Sequence, residues 1–548
     1  MAVRRVPLMV LLAGMVVAAI ALSGCGGGSS SGTASPAATS LDLLTTTPPG
    51  AGELDKVTWN LPYEPSSLDY AKSFDYAENT AIANMNENLL RLMPDFSIEP
   101  GLAESFTNPS PTTWVYKIRR GVSFWDGKPM TADDVVYSLQ RNLDPDVGSF
   151  FSYYYANVER IEKTGDYEVT VTLTKPDVLF HEALATPAGA VTEKAYVEAK
   201  GADYGTPKGG AMGTGPFKLT MWQSGTSMAL ERNDKYWDTS LKPKVKSLEL
   251  RFIADESTAI NALRSGEIDG QYFYLPPAGL SQIASSGTSN VYFGQSLVFW
   301  SLLTVAKDGP FADPRVRQAL LDATDRAAIA KVVFQDTATP ARVLSPPSSW
   351  GYAKEIWQAA YDAVPAPAVD VAKAKQLIAD AGATGKTVKL VAQGNSIVHS
   401  QTADILKAAG AQIGLSIEIE IIPVQRYGSL YWDTKAQAGI DAFLSTWYGN
   451  VADPLDLFAT IGPGGANNYN DWDPPAVRAV LDRALGETDD IKRAELLVQV
   501  QQAMTADVVW LPLSYQSNIL VMSKRLGGAV ASFPYLYYPW AASIGGVK

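Results

Sequence analysis

One apolar run near the start of the chain sets terms for everything after it. Residues 6–21 carry no charge and follow Arg4 and Arg5. The run is shorter than the roughly 20 residues a membrane-spanning helix needs, and it fits the apolar core of an export signal. No later run approaches a span, so the rest of the chain is expected to fold by burying apolar side chains against one another, outside the cytoplasm. At 548 residues it is longer than one core usually serves, and two or three domains are expected. Hydrophobic residues at 46% and charged residues at 19% suit globular lobes of that kind.

The apolar run ends in Leu22-Ser23-Gly24-Cys25. Leu, two small residues and Cys resemble a bacterial lipobox. The resemblance implies cleavage before Cys25, which then becomes the mature N-terminus and carries lipid on its thiol and amine. Acyl chains hold a protein to a bilayer through buried methylenes, each contributing about 0.8 kcal/mol. Residues 26–52 are rich in Gly, Ser, Thr, Pro and Ala and read as a flexible tether.

Charge and composition exclude several functions. A formal net charge of −12 argues against a nucleic-acid partner, which wants a basic face. One Cys rules out a disulfide within the chain, and two His leave little for a zinc site. Gly385-Lys386-Thr387 resembles the end of a phosphate loop, but the glycine required five positions earlier is Asp380. No Gly-x-Ser-x-Gly marks a nucleophile elbow. His181 and His399 stand alone in the sequence and read as surface or packed residues. No catalytic residue, metal or cofactor is expected.

The folded part begins with a strand over residues 56–61. Residues 78–92 have helical spacing, with Ile82, Met85, Leu89 and Leu92 in one stripe. Residues 114–119 alternate as a strand. A tight turn at Asp126-Gly127 precedes Thr131, which caps a helix from Ala132 to about Arg141, with Asp134 in the capping-box position. Further on, Gly266 ends one helix and Gly382 closes another, residues 370–381. A helix opens near Pro314 and continues through Thr324-Asp325-Arg326. Residues 168–174, 245–253 and 415–424 are expected strands. Residues 475–506 read as two helices broken near Gly486-Glu487-Thr488, and residues 510–513 and 518–522 as final strands. Repeated strand–helix alternation argues for α/β lobes.

Several of these blocks occur together and in order. Arg119-Arg120-Gly121-Val122-Ser123-Phe124-Trp125-Asp126-Gly127-Lys128-Pro129-Met130-Thr131-Ala132-Asp133-Asp134-Val135 is the most specific of them. Leu102-Ala103-Glu104-Ser105-Phe106 precedes it. Gly213-Thr214-Gly215-Pro216-Phe217, Leu230-Glu231-Arg232-Asn233-Asp234-Lys235-Tyr236-Trp237, Ala262-Leu263-Arg264-Ser265-Gly266-Glu267-Ile268-Asp269 and Pro310-Phe311-Ala312-Asp313-Pro314-Arg315 follow it. From about Asp55 onward the chain resembles the family 5 solute-binding proteins, the peptide-, dipeptide- and nickel-type extracellular lipoproteins of ABC importers. The resemblance implies an α/β fold of the periplasmic-binding-protein type II, with two large lobes, an extra subdomain and a discontinuous first lobe. The boundaries expected are a signal peptide over 1–24 and a tether over 25–54. Lobe I takes 55–88, 210–305 and 508–548, the subdomain 89–209, and lobe II 306–507. By their chemistry the turn and cap residues in these blocks are structural rather than ligand contacts.

The candidate site is the stretch from Gly439 to Phe458. A strand leads into Trp447 and Tyr448, Gly449-Asn450 turns the chain, and Asp453-Pro454 starts another turn. Taken alone, two aromatics at a strand end suit either a core or a ligand wall. The resemblance places Trp447, Tyr448, Gly449 and Asn450 on the family's ligand-lining strand, where bound peptide pairs with backbone. In peptide-binding relatives the position of Asn450 is often Asp, which meets the ligand's α-amine. Here the neutral amide gives up that charge pairing and can still bond a carbonyl or hydroxyl. Asp453 matches another family acid, although Asp-Pro also reads as a turn. In the aromatic cluster 150–155 the family implies one ring facing the ligand, with Tyr154 the first choice and Phe151 the second.

The function implied is an extracytoplasmic, lipid-anchored binding protein. It would close two lobes over an oligopeptide or similar polar solute and deliver it to an ABC permease. It is expected to be a monomer, held to the membrane through Cys25. An oligosaccharide is the alternative solute, kept open by 13 Trp. The competing classes are a secreted glycosidase using two acids in an aromatic cleft, and a receptor that kept the fold and lost transport.

Overall fold

The computed structural model describes residues 41–547 except Phe74 and Tyr274. Residues 1–40, which hold the expected signal peptide, Cys25 and part of the expected tether, lie outside the described residues. Among the described residues no helix is long and apolar enough to cross a membrane.

Three sheets organise the chain. The first has eight strands in the order Leu43–Leu44, Ser289–Gly294, Asn518–Ser523, Gly270–Tyr272, Leu54–Leu61, Val245–Phe252, Ser227–Arg232, Phe217–Gln223. The second has six, in the order Ala338–Pro340, Trp510–Gln516, Val298–Thr304, Ala442–Tyr448, Thr387–Gln393, Ser416–Ile422. The third is a four-stranded antiparallel sheet, Ala103–Ser110, Thr113–Ile118, Glu168–Leu173, Val158–Gly165. With helices packed on these mixed sheets the chain is α/β.

In the six-stranded sheet the central strand Val298–Thr304 is buried along its whole length, as its unbroken run VFWSLLT requires. Leu302 packs on one face with Leu320, Ile378 and Leu406 of the helices Pro314–Ala323, Val371–Asp380 and Ile397–Gln412. Phe443 packs in the other large core with Phe458, Leu481 and Leu497 of the helices Pro454–Ile461, Pro475–Gly486 and Asp490–Ala506. Each such side chain, fully buried, contributes about 1.5–3 kcal/mol.

The chain passes between the two large sheets at two adjacent places. Gly294 pairs with Asn518 in the eight-stranded sheet, and Phe299 pairs with Tyr515 in the six-stranded one. Residues 295–297 and residue 517 between them belong to neither sheet. The expected lobe boundaries at 305/306 and 507/508 therefore move. The strands Val298–Thr304 and Trp510–Gln516 sit inside the six-stranded sheet, because an apolar run fixes burial without saying which sheet buries it.

Other expectations are corrected too. The tether does not reach residue 54. Leu43 and Leu44 pair with Phe293 and Gly294, and the Thr47 and Gly52 N–H groups donate to Ala529 and Gly546 at 2.8 and 3.0 Å. Gly50 explains how a stretch of flexible composition becomes fixed: a Cβ there would lie 2.2 Å from the Gly545 carbonyl oxygen, so two backbones meet where no side chain fits. The helix read over 78–92 is only Tyr76–Ile82, and two short strands, Glu87–Asn88 and Leu90–Leu92, follow it. Their apolar residues fill a core without helical geometry. The helix from Pro314 stops at Ala323, and Asp325 caps a new short one by accepting from Ala328 N–H.

The specific block behaves as its chemistry requires. The helix is Ala132–Gln140, and Asp134 accepts from the Thr131 N–H at 3.0 Å and from its hydroxyl at 2.9 Å. Gly266, at φ +78, ends the helix Glu256–Ser265.

Candidate binding cavity

The strand Ala442–Tyr448 pairs with Val298–Thr304 over its full length, Trp447 opposite Phe299 and Tyr448 opposite Val298. Two-residue periodicity sends Phe443, Ser445 and Trp447 to one face. Tyr431 lies over that face, 5.4 Å from the Phe443 ring and 6.0 Å from Trp447, with its hydroxyl 2.7 Å from Ser445 Oγ. Trp447 also meets Trp510 edge to face at 5.1 Å. Tyr448 points the other way, toward Tyr76 at 5.5 Å and Phe533 at 5.2 Å. Tyr76 in turn stacks on Phe273 at 4.4 Å. The end of the strand thus carries rings into a cavity of about 750 Å³, which also takes in Phe151, Tyr153, Trp300, Trp432 and Tyr537. That volume is in the range of sites that enclose small molecules.

Asn450 lies in the wall, but its amide is committed. Its Nδ2 donates to the Tyr153 and Tyr154 hydroxyls, both at 3.0 Å, and its Oδ1 accepts from the Tyr537 hydroxyl at 2.7 Å. Behind it sits Asp456, in the first turn of Pro454–Ile461, where the helix dipole favours a negative charge. Asp456 accepts from the Asn450 N–H and from the Tyr154 hydroxyl, each at 2.6 Å. Burial pushes its carboxyl up to about 6 in spite of those donors. Gly449 does not line the cavity. Its missing side chain makes room for Asp456, since a Cβ there would lie 3.2 Å from Oδ2.

Two more sequence candidates move out of the wall. Tyr154 is buried behind Tyr153, so in the turn Ser152–Tyr155 the cavity-facing ring is Tyr153, with Phe151 beside it. Asp453 is a helix cap. It accepts from the Leu455 N–H at 2.8 Å and the Tyr352 hydroxyl at 2.8 Å, and pairs with Arg493 at 3.2 Å. Its two oxygens are spent on structure. Trp447, Tyr448, Asn450 and Phe151 do come together at the cavity.

Sequence reasoning did not reach Asp75, Tyr76, Glu256, Tyr431, Trp432, Asp456 and Tyr537. They come from segments far apart in the chain, and only Tyr431-Trp432, two rings in a polar stretch, offered a local signal. Asp75 caps the helix Tyr76–Ile82, accepting from the Tyr76 N–H at 2.7 Å. Burial raises its carboxyl above the ordinary value, and burial and then Asp255 do the same for Glu256. His399 touches the cavity, yet its Nδ1 accepts from the Gln393 N–H at 3.2 Å and its ring meets Trp300 edge to face. Burial holds it down at about 3, so it is neutral at physiological pH. His181, likewise held near 3, stacks on Trp114 at 4.0 Å. Among the described residues no cluster of His, Cys, Asp and Glu is arranged to hold a metal ion.

Comparison with known proteins gives the fold as that of the type II periplasmic binding proteins. The sequence model of the bacterial extracellular solute-binding proteins, family 5 (middle region), matches residues 97–469. The periplasmic oligopeptide-binding protein OppA of Salmonella typhimurium is 27% identical over 523 residues, covering 91% of this chain and 94% of its own. Among solved structures, AgaA of A. tumefaciens R10 in complex with agropinic acid superposes with a TM-score of 0.77 at 24% identity, over 90% of this chain and 99% of its own. AppA of Bacillus subtilis in complex with a nonapeptide gives 0.76 at 23% identity, over 91% and 100%. These relatives are binding proteins, not enzymes.

Proposed function

The chain belongs to the bacterial extracellular solute-binding proteins of family 5, and on that premise we propose that it captures an oligopeptide or similar polar solute between two lobes and passes it to a membrane permease of the ABC class. The observation that carries this is the cavity of about 750 Å³ at the end of the strand Ala442–Tyr448, walled by Trp447 and Tyr448. Rings there give contact area, and strand-end backbone gives hydrogen bonds that are indifferent to the solute's side chains.

Lobe I is built on the eight-stranded sheet and lobe II on the six-stranded one. The two crossings, residues 295–297 and residue 517, act as the hinge, since a few unpaired residues can absorb a change in φ and ψ while the sheets stay rigid. Solute favours the closed form by touching both lobes, because only a difference in contacts between the two forms shifts the equilibrium. Tyr76 and Tyr448 face one another from the two lobes and define that shared wall. Lipid on Cys25, implied by Leu22-Ser23-Gly24-Cys25, keeps the protein beside its permease.

A second solute class is favoured by a specific observation. The position where peptide-binding relatives often carry an amine-binding Asp is Asn450, and its amide is already bonded to three tyrosines. Aromatic walls without an amine acceptor at that point also suit an oligosaccharide, and AgaA, of the same fold, is seen in complex with agropinic acid. Tryptophan fluorescence titrated with oligopeptides and oligosaccharides tests the role. A saturable change with at least one class, weakened in Trp447→Ala, supports it. A flat response to both classes and to a cell extract contradicts it.

A further inference from the structure

Two acids, Asp75 and Glu256, line the cavity, Asp456 is buried behind its wall, and among the described residues no Lys or Arg lines it. His399 supplies no charge, being neutral. The buried Arg493 and Arg141 are held away from it, Arg493 on Asp453 at 3.2 Å and Arg141 on Asp69 at 2.7 Å. An anionic group entering the cavity would leave water, meet like charges and find no cation. A desolvated charge without a partner is strongly disfavoured, and like-charge juxtaposition is a common means of rejecting wrong ligands.

The acids and the rings also sit together. Burial first, and the Asp75 charge after it, push the Tyr431 hydroxyl up to about 12, and the same two causes raise Tyr448. Asp75 lines the same cavity as both rings and adjoins Tyr76, whose ring lies 5.5 Å from Tyr448, at a wall where rings can hold a cation over their faces. At the mouth, Ile397, Val424 and Trp432 are exposed by 63%, 51% and 64%. Apolar side chains left in water at the rim of a cavity suit an apolar part of the solute.

We infer that the cavity selects solutes with no anionic group inside it: the captured molecule is neutral or cationic, keeps its apolar groups toward the mouth, and seats any positive group beside Asp75, Tyr431 and Tyr448. A peptide solute then has an amidated, esterified or cyclised C-terminus, and an oligosaccharide solute lacks uronic acids. This deepens the binding role proposed above and rests on it.

The test uses matched pairs against the full chain by isothermal titration near neutral pH. The pairs are the same oligopeptides as free acids and as C-terminal amides, and neutral oligosaccharides beside oligouronates. The expected result is that the amide or the neutral sugar binds at least about tenfold more tightly than its anionic partner. Asp75→Asn, which keeps the helix cap because Asn caps as well as Asp, removes the preference of a free-amine peptide amide over its N-acetyl form. Equal or tighter binding of the free acids or uronates overturns the inference while leaving the binding role intact. If no pair binds, native mass spectrometry of the protein exposed to a cell extract decides: a neutral or cationic captured mass supports the inference and an anionic one overturns it. Capture of nothing at all removes the binding role itself, and the inference with it.

Discussion

The Tyr154 hydroxyl donates a 2.6 Å hydrogen bond to Asp456 across 302 positions of sequence. It ties the turn Ser152–Tyr155 to the helix Pro454–Ile461 directly behind the cavity wall. Both partners are buried. Tyr154→Phe is expected to cost about 1.5–3 kcal/mol, as for a buried hydrogen bond to a charged group. Tyr153→Phe should cost less, since that hydroxyl accepts from Asn450 at a partly exposed position. Urea denaturation of the two variants checks the order.

Asp456 makes stability depend on pH. Its folded value, about 6, is above the ordinary carboxylate value of 3.8. The native state holds a proton that the unfolded chain releases, so the stabilising contribution of the protonated form is complete below the unfolded value and is lost as pH rises through the folded one. The shift corresponds to a loss on the order of 3 kcal/mol across that window. The groups facing it are the Tyr154 hydroxyl, the Asn450 and Val451 N–H groups and, as a like charge, Asp453. Asp456→Asn should flatten that part of the stability–pH curve, and an unchanged slope would assign the dependence to other groups.

Asn450→Asp would not simply restore an amine-binding site. The amide donates two hydrogens, to Tyr153 and Tyr154, and a carboxylate has none to give. The Tyr154 proton is already given to Asp456, so the new charge would face a like charge with Tyr537, and Tyr153 once its hydroxyl turns, as donors. A loss of about 1–3 kcal/mol is expected at alkaline pH. The loss should shrink as pH falls and one carboxyl of the pair takes a proton. Thermal unfolding of variant and parent at two pH values reads the difference.

Arg493 and Asp453 are exposed by only 5% and 2%. Asp453→Ala leaves the guanidinium buried with Asp490 as its near carboxylate, and also removes a helix cap. Breaking one side of a buried pair typically costs about 3–5 kcal/mol. Because Asp453 does not line the cavity, solute affinity of the folded variant should stay within about twofold, a change of under 1 kcal/mol. Denaturation together with a binding titration separates the two effects.

Much of this arrangement was legible locally. The Thr131–Asp134 cap, the stop at Gly266 and the break between the helices Pro475–Gly486 and Asp490–Ala506 follow from residue chemistry within a turn or two. The strand bringing Trp447 and Tyr448 to the cavity follows from alternation and from the ordered family blocks. What was not legible depends on distance. Nothing near Asp75 in sequence says that it will meet Tyr431 and Tyr448. Within Ser152–Tyr155 the Tyr153 and Tyr154 rings lie 4.1 Å apart, and the distant partner Asp456 holds Tyr154 inward while Tyr153 is left at the wall. The strand Val298–Thr304 takes its place in the six-stranded sheet by pairing with residues more than a hundred positions away.

The central claim is that the cavity beside Trp447 holds a solute. Native mass spectrometry of the protein after exposure to a mixed peptide and oligosaccharide extract tests it most directly, with Trp447→Ala run in parallel. A discrete added mass on the parent, released unaltered and reduced or lost in a variant that still unfolds cooperatively, is the predicted result. No added mass on the parent, or the same mass held equally by the variant, would contradict it.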